Sequence, residues 1–178
     1  KIFLGGINAS ELMHKEGINQ NELAPYLMPF QEEIEKKKIE VHYHGYFFKW
    51  DPQENYYYAV KNSGFQGNTE RTEGSYSKYS SLDDRIDYFH YYTTFIKFGI
   101  GRATYDASQE IRNNKITREE GISLVRRYDA EFPKKYFKDF IEYIDLTEER
   151  FWEIIDEFRT PHLWEKSDGE WKLKYQVS

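Results

Sequence analysis

The sequence predicts a mainly α chain: a short α/β-like opening, a helical body and a C-terminal β-hairpin. Three observations carry this. Between Ile86 and Ile96 the residues Ile86, Phe89, Tyr92, Thr93 and Ile96 recur at three- and four-residue steps, the period of a helix with one buried face. Two threonine-led stretches, Thr117-Arg118-Glu119-Glu120 and Thr147-Glu148-Glu149-Arg150, read as capping boxes that open further helices. Near the C-terminus Asp168-Gly169 lies between two aromatic-bearing runs, the signature of a tight hairpin turn.

The central helix is expected over Ser81–Phe98. Ser81 reads as its cap, and Asp83 and Asp84 as first-turn acids favoured by the helix dipole. Tyr88, Tyr91 and Phe95 widen its apolar face almost all round, so it should be central in its domain. Gly99 and Gly101 end it. Before it, Ile2–Leu4 with Gly5-Gly6 reads as a buried parallel strand running into a ligand loop. Met13 to Pro29 looks like an irregular connection, Phe30–Lys38 a short helix, Ile39–Trp50 a strand or extended segment, and Gln53–Asn62 a helix ended by Gly64. Phe65 to Ser80 is a long loop. After the central helix come Arg102–Asn113, the helix from Thr117 to about Tyr128, one opened by Pro133 and running to about Ile144, and one from Thr147 to about Phe158. Pro161 precedes the hairpin, Trp164–Val177.

The composition excludes several classes. A net charge of −6 over 178 residues argues against a general nucleic-acid footprint. No cysteine means no disulfide framework and no zinc–thiolate site, which fits a reducing cytoplasm. No apolar run approaches the length of a membrane span. The 16 tyrosines are unusual. The cluster between Tyr76 and Tyr105 reads either as a core rich in buried hydrogen bonds or as a stacking surface for sugars or bases.

Candidate chemistry gathers around the Glu70–Lys78 loop. Glu70 and Glu73 have no obvious structural duty, and Arg71, Lys78, Lys97 and Arg102 are the cations suited to holding a diphosphate. Gly74 would let backbone approach a ligand, Tyr76 would lie against a sugar or base, and Arg102 would sit at a helix N-terminus, which favours anions. The alternative is that these charges pair with one another. His42 and His44 would share a face if their segment were a strand, a pattern open to a metal, although no third ligand is nearby.

Longer strings carry a resemblance. Phe48-Lys49-Trp50-Asp51-Pro52, GFQGNTERTEGSYSKYSSLDDRIDYFHYYTTFIKFGIGRATYDASQEIRN, ITREEGISLVRRYD and FWEIIDEFRTPHLW together resemble the C-terminal half of the N-acetyl sugar amidotransferases, over about Phe47 to Trp164. These are PP-loop ATP-pyrophosphatases of bacterial surface-polysaccharide and lipopolysaccharide biosynthesis. The resemblance implies a reaction in which ATP, with Mg²⁺, adenylates the carbonyl of an N-acetyl group on a nucleotide sugar. Ammonia then displaces AMP to leave an acetamidino sugar. It implies two partners, a glutaminase subunit and a cyclase-like subunit resembling those of histidine biosynthesis. It also implies that Gly5, Gly6, Asn8 and Glu11 form a nucleotide and Mg²⁺ loop, with Gly6 where relatives carry Thr and Glu11 as the metal-holding acid. The sugar nucleotide would then meet Glu70, Arg71, Glu73, Tyr76, Lys78, Lys97 and Arg102. The Ser-Gly-Gly-x-Asp-Ser loop that grips pyrophosphate has no counterpart in these residues, so they are not expected to catalyse the adenylation by themselves. The expected organisation is therefore the end of an ATP-pyrophosphatase α/β domain (1–25), a helical sugar-recognition or assembly domain (26–163) and a hairpin tail (164–178). The rival expectation is a non-catalytic helical module that docks partner subunits or carbohydrate.

Overall fold

The computed structural model describes residues 3–4 and 7–177. The chain packs into two units, Lys1–Lys49 and Trp50–Ser178, where the sequence suggested boundaries at 25/26 and 163/164.

In the first unit, β1 (Phe3–Leu4) pairs antiparallel with β2 (Ile7–Asn8). The expected parallel strand is thus one side of a two-residue antiparallel ladder; Ile2, Gly5 and Gly6 lie outside the described residues. Helix α1 (Ala9–Glu16) follows, with Asn8 as its cap accepting from the Ser10 N–H at 3.0 Å. The stretch expected to be irregular holds α2 (Gln20–Leu23), opened by a reciprocal Asn19/Glu22 capping box, and a 3-10 turn at Ala24–Tyr26. Helix α3 (Gln31–Lys37) ends in exposed lysines. Ile39–Trp50 is not a strand: it contains the short helix α4 (His44–Phe47), and its aromatics are largely exposed.

The second unit starts with α5 (Pro52–Ser63). Asp51 caps it, proline fills its first position and Gly64 ends it. Tyr79 stacks on Tyr56 at 4.7 Å and donates to Gln53 at 3.2 Å, which ties the long loop to this helix. Helix α6 (Asp87–Phe98) begins six residues later than Ser81 suggested. Ser81 takes a left-handed φ of 54°, and its hydroxyl reaches Tyr91 at 2.7 Å instead of capping a first turn. No side chain caps α6; Asp84 accepts from the Ile86 N–H at 2.7 Å, just ahead of its first turn.

Helices α7 (Arg102–Arg112) and α8 (Arg118–Tyr128) follow, the second opened by the Thr117/Glu120 box. Pro133 does not open the next helix; α9 (Phe137–Tyr143) begins four residues on. Helix α10 (Glu148–Glu157) has only half of its expected box. Thr147 accepts from the Arg150 N–H at 3.2 Å, but Arg150 cannot return the bond and pairs with Glu153. Strands β3 (Trp164–Ser167) and β4 (Glu170–Leu173) make the hairpin, with Asp168 and Gly169 both at positive φ in its turn.

The core forms where α6 meets α10 and the hairpin. Tyr92, Phe95 and Ile96 pack with Phe151, Ile155 and Trp164, and Phe132, Phe137 and Phe140 close around them. Phe89 lies flat on Phe140 at 4.0 Å. Trp164 also donates its indole N–H to the Ile96 carbonyl at 2.7 Å. Trp164→Phe should therefore cost about 1–3 kcal/mol, because that buried acceptor is stranded. Trp164→Ala should cost about 3–5 kcal/mol by adding a cavity. Denaturant unfolding measures both, and a Trp164→Phe protein as stable as wild type would show that the hydrogen bond carries no weight.

Candidate functional site

The Glu70–Lys78 loop is held in place through its own charges. Arg71 grips Glu131 with two parallel bonds of 2.6 and 2.5 Å, donates to the Ser75 carbonyl at 3.1 Å and lies over the Tyr128 ring. Glu131 also accepts from the Gly74 N–H at 2.9 Å. Burial pulls the Glu131 carboxyl upward, but the bonds from Arg71 and Gly74 outweigh it and hold its pKa below the ordinary glutamate value. Glu73 accepts from the Lys134 and Lys135 N–H groups, both at 3.1 Å. Glu70 pairs with Lys135 at 3.4 Å, and Lys78 donates to the Thr69 carbonyl at 3.2 Å. Gly74, at φ 85°, brings its carbonyl to the Ala103 N–H at 3.1 Å, so the close backbone approach is to α7.

Arg102 is equally engaged. It donates to Asp106 at 2.8 Å, Ser80 at 3.0 Å and Tyr91 at 3.2 Å. The N-terminus of α7 already holds an anion, the protein's own Asp129. That buried carboxylate accepts from the Gly101 N–H (2.8 Å), the Thr104 N–H (2.9 Å) and the Thr104 hydroxyl (2.7 Å). A Cβ at position 101 would lie 2.7 Å from Asp129 Oδ1, so glycine is required there.

Beside Arg102 lies a group of two acids and two phenols, of which the sequence singled out Tyr76 alone. Asp106 accepts from Ser75 as well as Arg102. Burial raises the Asp106 pKa, and burial and then Asp106 raise that of Glu110. The Tyr76 hydroxyl is buried without a formed hydrogen bond, and burial and then Glu110 push its pKa far up. Tyr79 is pushed up to about 12, again chiefly by burial.

The remaining candidates lie apart from this loop. Lys97 is exposed and sits near the Phe98 and Phe158 rings. In the first unit Asn8 is occupied as a cap, and Glu11 pairs with Lys15 at 2.6 Å. His42 pairs with Glu40 at 2.8 Å, while His44 starts α4 and stacks on Phe48. Among the described residues no cluster of three or more His, Asp or Glu side chains is placed to hold a metal.

A marked concavity lies elsewhere in the second unit. A cleft of about 670 Å³ opens between the C-terminal half of α6, the end of α8 and β4. Tyr92, Phe95, Trp164, Trp171 and Tyr175 supply its aromatic surface, and Arg126, Arg159 and Lys172 its cations. Arg159 has only 9% of its side chain exposed, pairs with Asp156 and lies near the Trp164 and Trp171 rings. Burial raises the Tyr92 pKa, and the positive charge of Arg159 tempers the rise. The Arg159 Nε and the Trp171 indole N–H are buried without a hydrogen-bond partner. The sequence pattern missed this site because its walls come from segments far apart in the chain.

Fold and cleft together define a helical domain closed by a hairpin and indented by an aromatic, cation-bearing cleft. Residues 73–177 match the family described as LPS biosynthesis protein WbpG-like, C-terminal domain, and the chain belongs to that family. A comparison with curated proteins gives no match. Among the described residues no helix is long and apolar enough to cross a membrane.

Two outcomes test the internal charge pairing. Arg71→Ala should lower stability by about 1–3 kcal/mol at neutral pH, since it leaves Glu131 without its partner. Because the Glu131 pKa is depressed in the folded state, its contribution is present above the ordinary glutamate range and lost as pH falls through the folded value. The difference between wild type and Arg71→Ala should therefore shrink on acidification. Glu110 has the opposite sign: its pKa is raised, so its ionised form opposes folding at neutral pH and the penalty is relieved as pH falls. Glu110→Gln should stabilise the protein at pH 7 and lose that advantage in acid, which unfolding curves across pH would show.

Proposed function

We propose that this chain is the sugar-recognising part of an ATP-dependent N-acetyl sugar amidotransferase of lipopolysaccharide biosynthesis, acting in the cytoplasm. The observation that carries the reading is the aromatic cleft with buried donors, in a domain of the WbpG-like family. Aromatic faces suit the apolar faces of a sugar or base, and a few fixed polar groups orient what binds. In this reading the nucleotide sugar occupies the cleft, and the Glu70–Lys78 loop with Arg102 is the scaffold that holds α7 and α8 in place. ATP is the substrate that activates the N-acetyl carbonyl, and ammonia from the glutaminase subunit displaces AMP. The residues of this chain contribute by binding and positioning, which can supply a large part of a rate enhancement.

A second reading, an assembly module for the glutaminase and cyclase-like subunits, is favoured by the exposed aromatics of the first unit, among them Tyr43 and Tyr46.

The reaction itself is the test. The full-length enzyme, given ATP, Mg²⁺, an ammonium salt and a panel of nucleotide-linked N-acetyl sugars, should release AMP and pyrophosphate. Mass spectrometry should show one sugar in which NH replaces an oxygen. If no N-acetyl sugar supports ATP-dependent AMP release, the amidotransferase reading fails.

A further inference from the structure

We propose that the aromatic segment around α4 is a dimerisation face, on which a second copy of this chain seats the same segment about a two-fold axis. The proposal goes beyond the reaction and does not depend on it.

Among the described residues the first unit builds almost no core: Ala9 and Leu23 are its buried apolar side chains. Units this small usually need a disulfide, a metal or a second chain to be stable. The protein has no cysteine, and no metal-holding cluster occurs among the described residues. The unit's exposed apolar surface is densest in one stretch, where Val41, Tyr43, Tyr46, Phe47 and Phe48 are between 57% and 85% exposed. The rings are already gathered: Tyr46 lies edge-on to Phe47 at 5.1 Å, and Phe48 stacks on His44 at 4.7 Å. Helix α4 is a single turn with no buried residue, and a turn that short does not hold in water without cover.

Two observations choose the second copy as that cover. From Ile39 to Phe48 the one Asp, Glu, Lys or Arg is Glu40, and it pairs with His42 at 2.8 Å. So little charge gives a different protein nothing to complement, whereas an apolar face matches itself. Interfaces between identical chains are the more apolar class, at about 65% against about 57%. The area also suffices. A buried aromatic side chain removes about 150–250 Å² from water, so the exposed rings supply roughly 400–700 Å² before their neighbours are counted, against about 800 Å² per partner in a standard interface.

The test is sedimentation velocity on the full-length protein across the micromolar range. Wild type should sediment as a dimer. Tyr43→Glu and Tyr46→Glu each bring two like charges together near the two-fold axis, which should raise the dimer dissociation constant at least about tenfold. Both side chains are largely exposed, so the variants should keep the fold, and circular dichroism checks that they do. Tyr46→Phe keeps the apolar face and should keep the dimer. A monomeric wild type overturns the proposal, whether another part of the chain then covers the segment or a glutaminase subunit added to it does. A dimer that neither glutamate weakens overturns it as well. Assembly is read without turnover, so the two readings fail separately. Amidine formation by a monomeric enzyme overturns only the dimer, and a dimer that forms no amidine overturns only the reaction.

Discussion

The second unit depends on one buried carboxylate. Asp129 stands just past the end of α8, yet it closes the N-terminus of α7, whose first N–H groups have no partner within the helix. This fixes where α7 starts relative to where α8 ends. Arg102, the first residue of α7, is thereby held against Asp106, Ser80 and Tyr91, and the Gly74 carbonyl against Ala103. Asp129 and Thr104 also form part of the cleft wall, so the same contact shapes the loop on one side and the candidate site on the other.

What the sequence revealed was local. The Thr117 box, the Gly64 and Gly99 helix ends and the Asp168-Gly169 turn depend on residues within a few positions, and each was legible. The central place of α6 was legible too, because Phe89, Tyr92 and Ile96 recur at helical spacing on its buried face, leaving His90 and Lys97 to solvent. The failures were long-range. The ion pair of Arg71 joins it to Glu131, 60 positions away, which no local pattern announces. Ser81 has the chemistry of a cap but not the backbone conformation. The cleft had one faint signal, the concentration of Trp164, Trp171 and Tyr175 close to Arg159 and Lys172, but nothing in their spacing says that α6 and α8 form the opposite wall.

The tyrosines divide between both roles the sequence allowed. Tyr88 and Tyr92 are buried, and Tyr79 stacks on Tyr56 within the fold. Tyr91 links Ser81 to Arg102 through its hydroxyl. Tyr105 and Tyr175 remain largely exposed. Aromatic excess alone therefore does not mark a binding surface here.

The bond from Trp164 to the Ile96 carbonyl spans 68 positions of the chain. During synthesis α6 is made long before the hairpin that covers it. Until residues 151–173 emerge, Tyr92, Phe95 and Ile96 have no permanent cover, and their closure waits on a distant segment. A nascent chain paused in that interval presents an aromatic surface of the kind that chaperones bind and that aggregates recruit. The hairpin is thus the element whose arrival ends the vulnerable stage of folding.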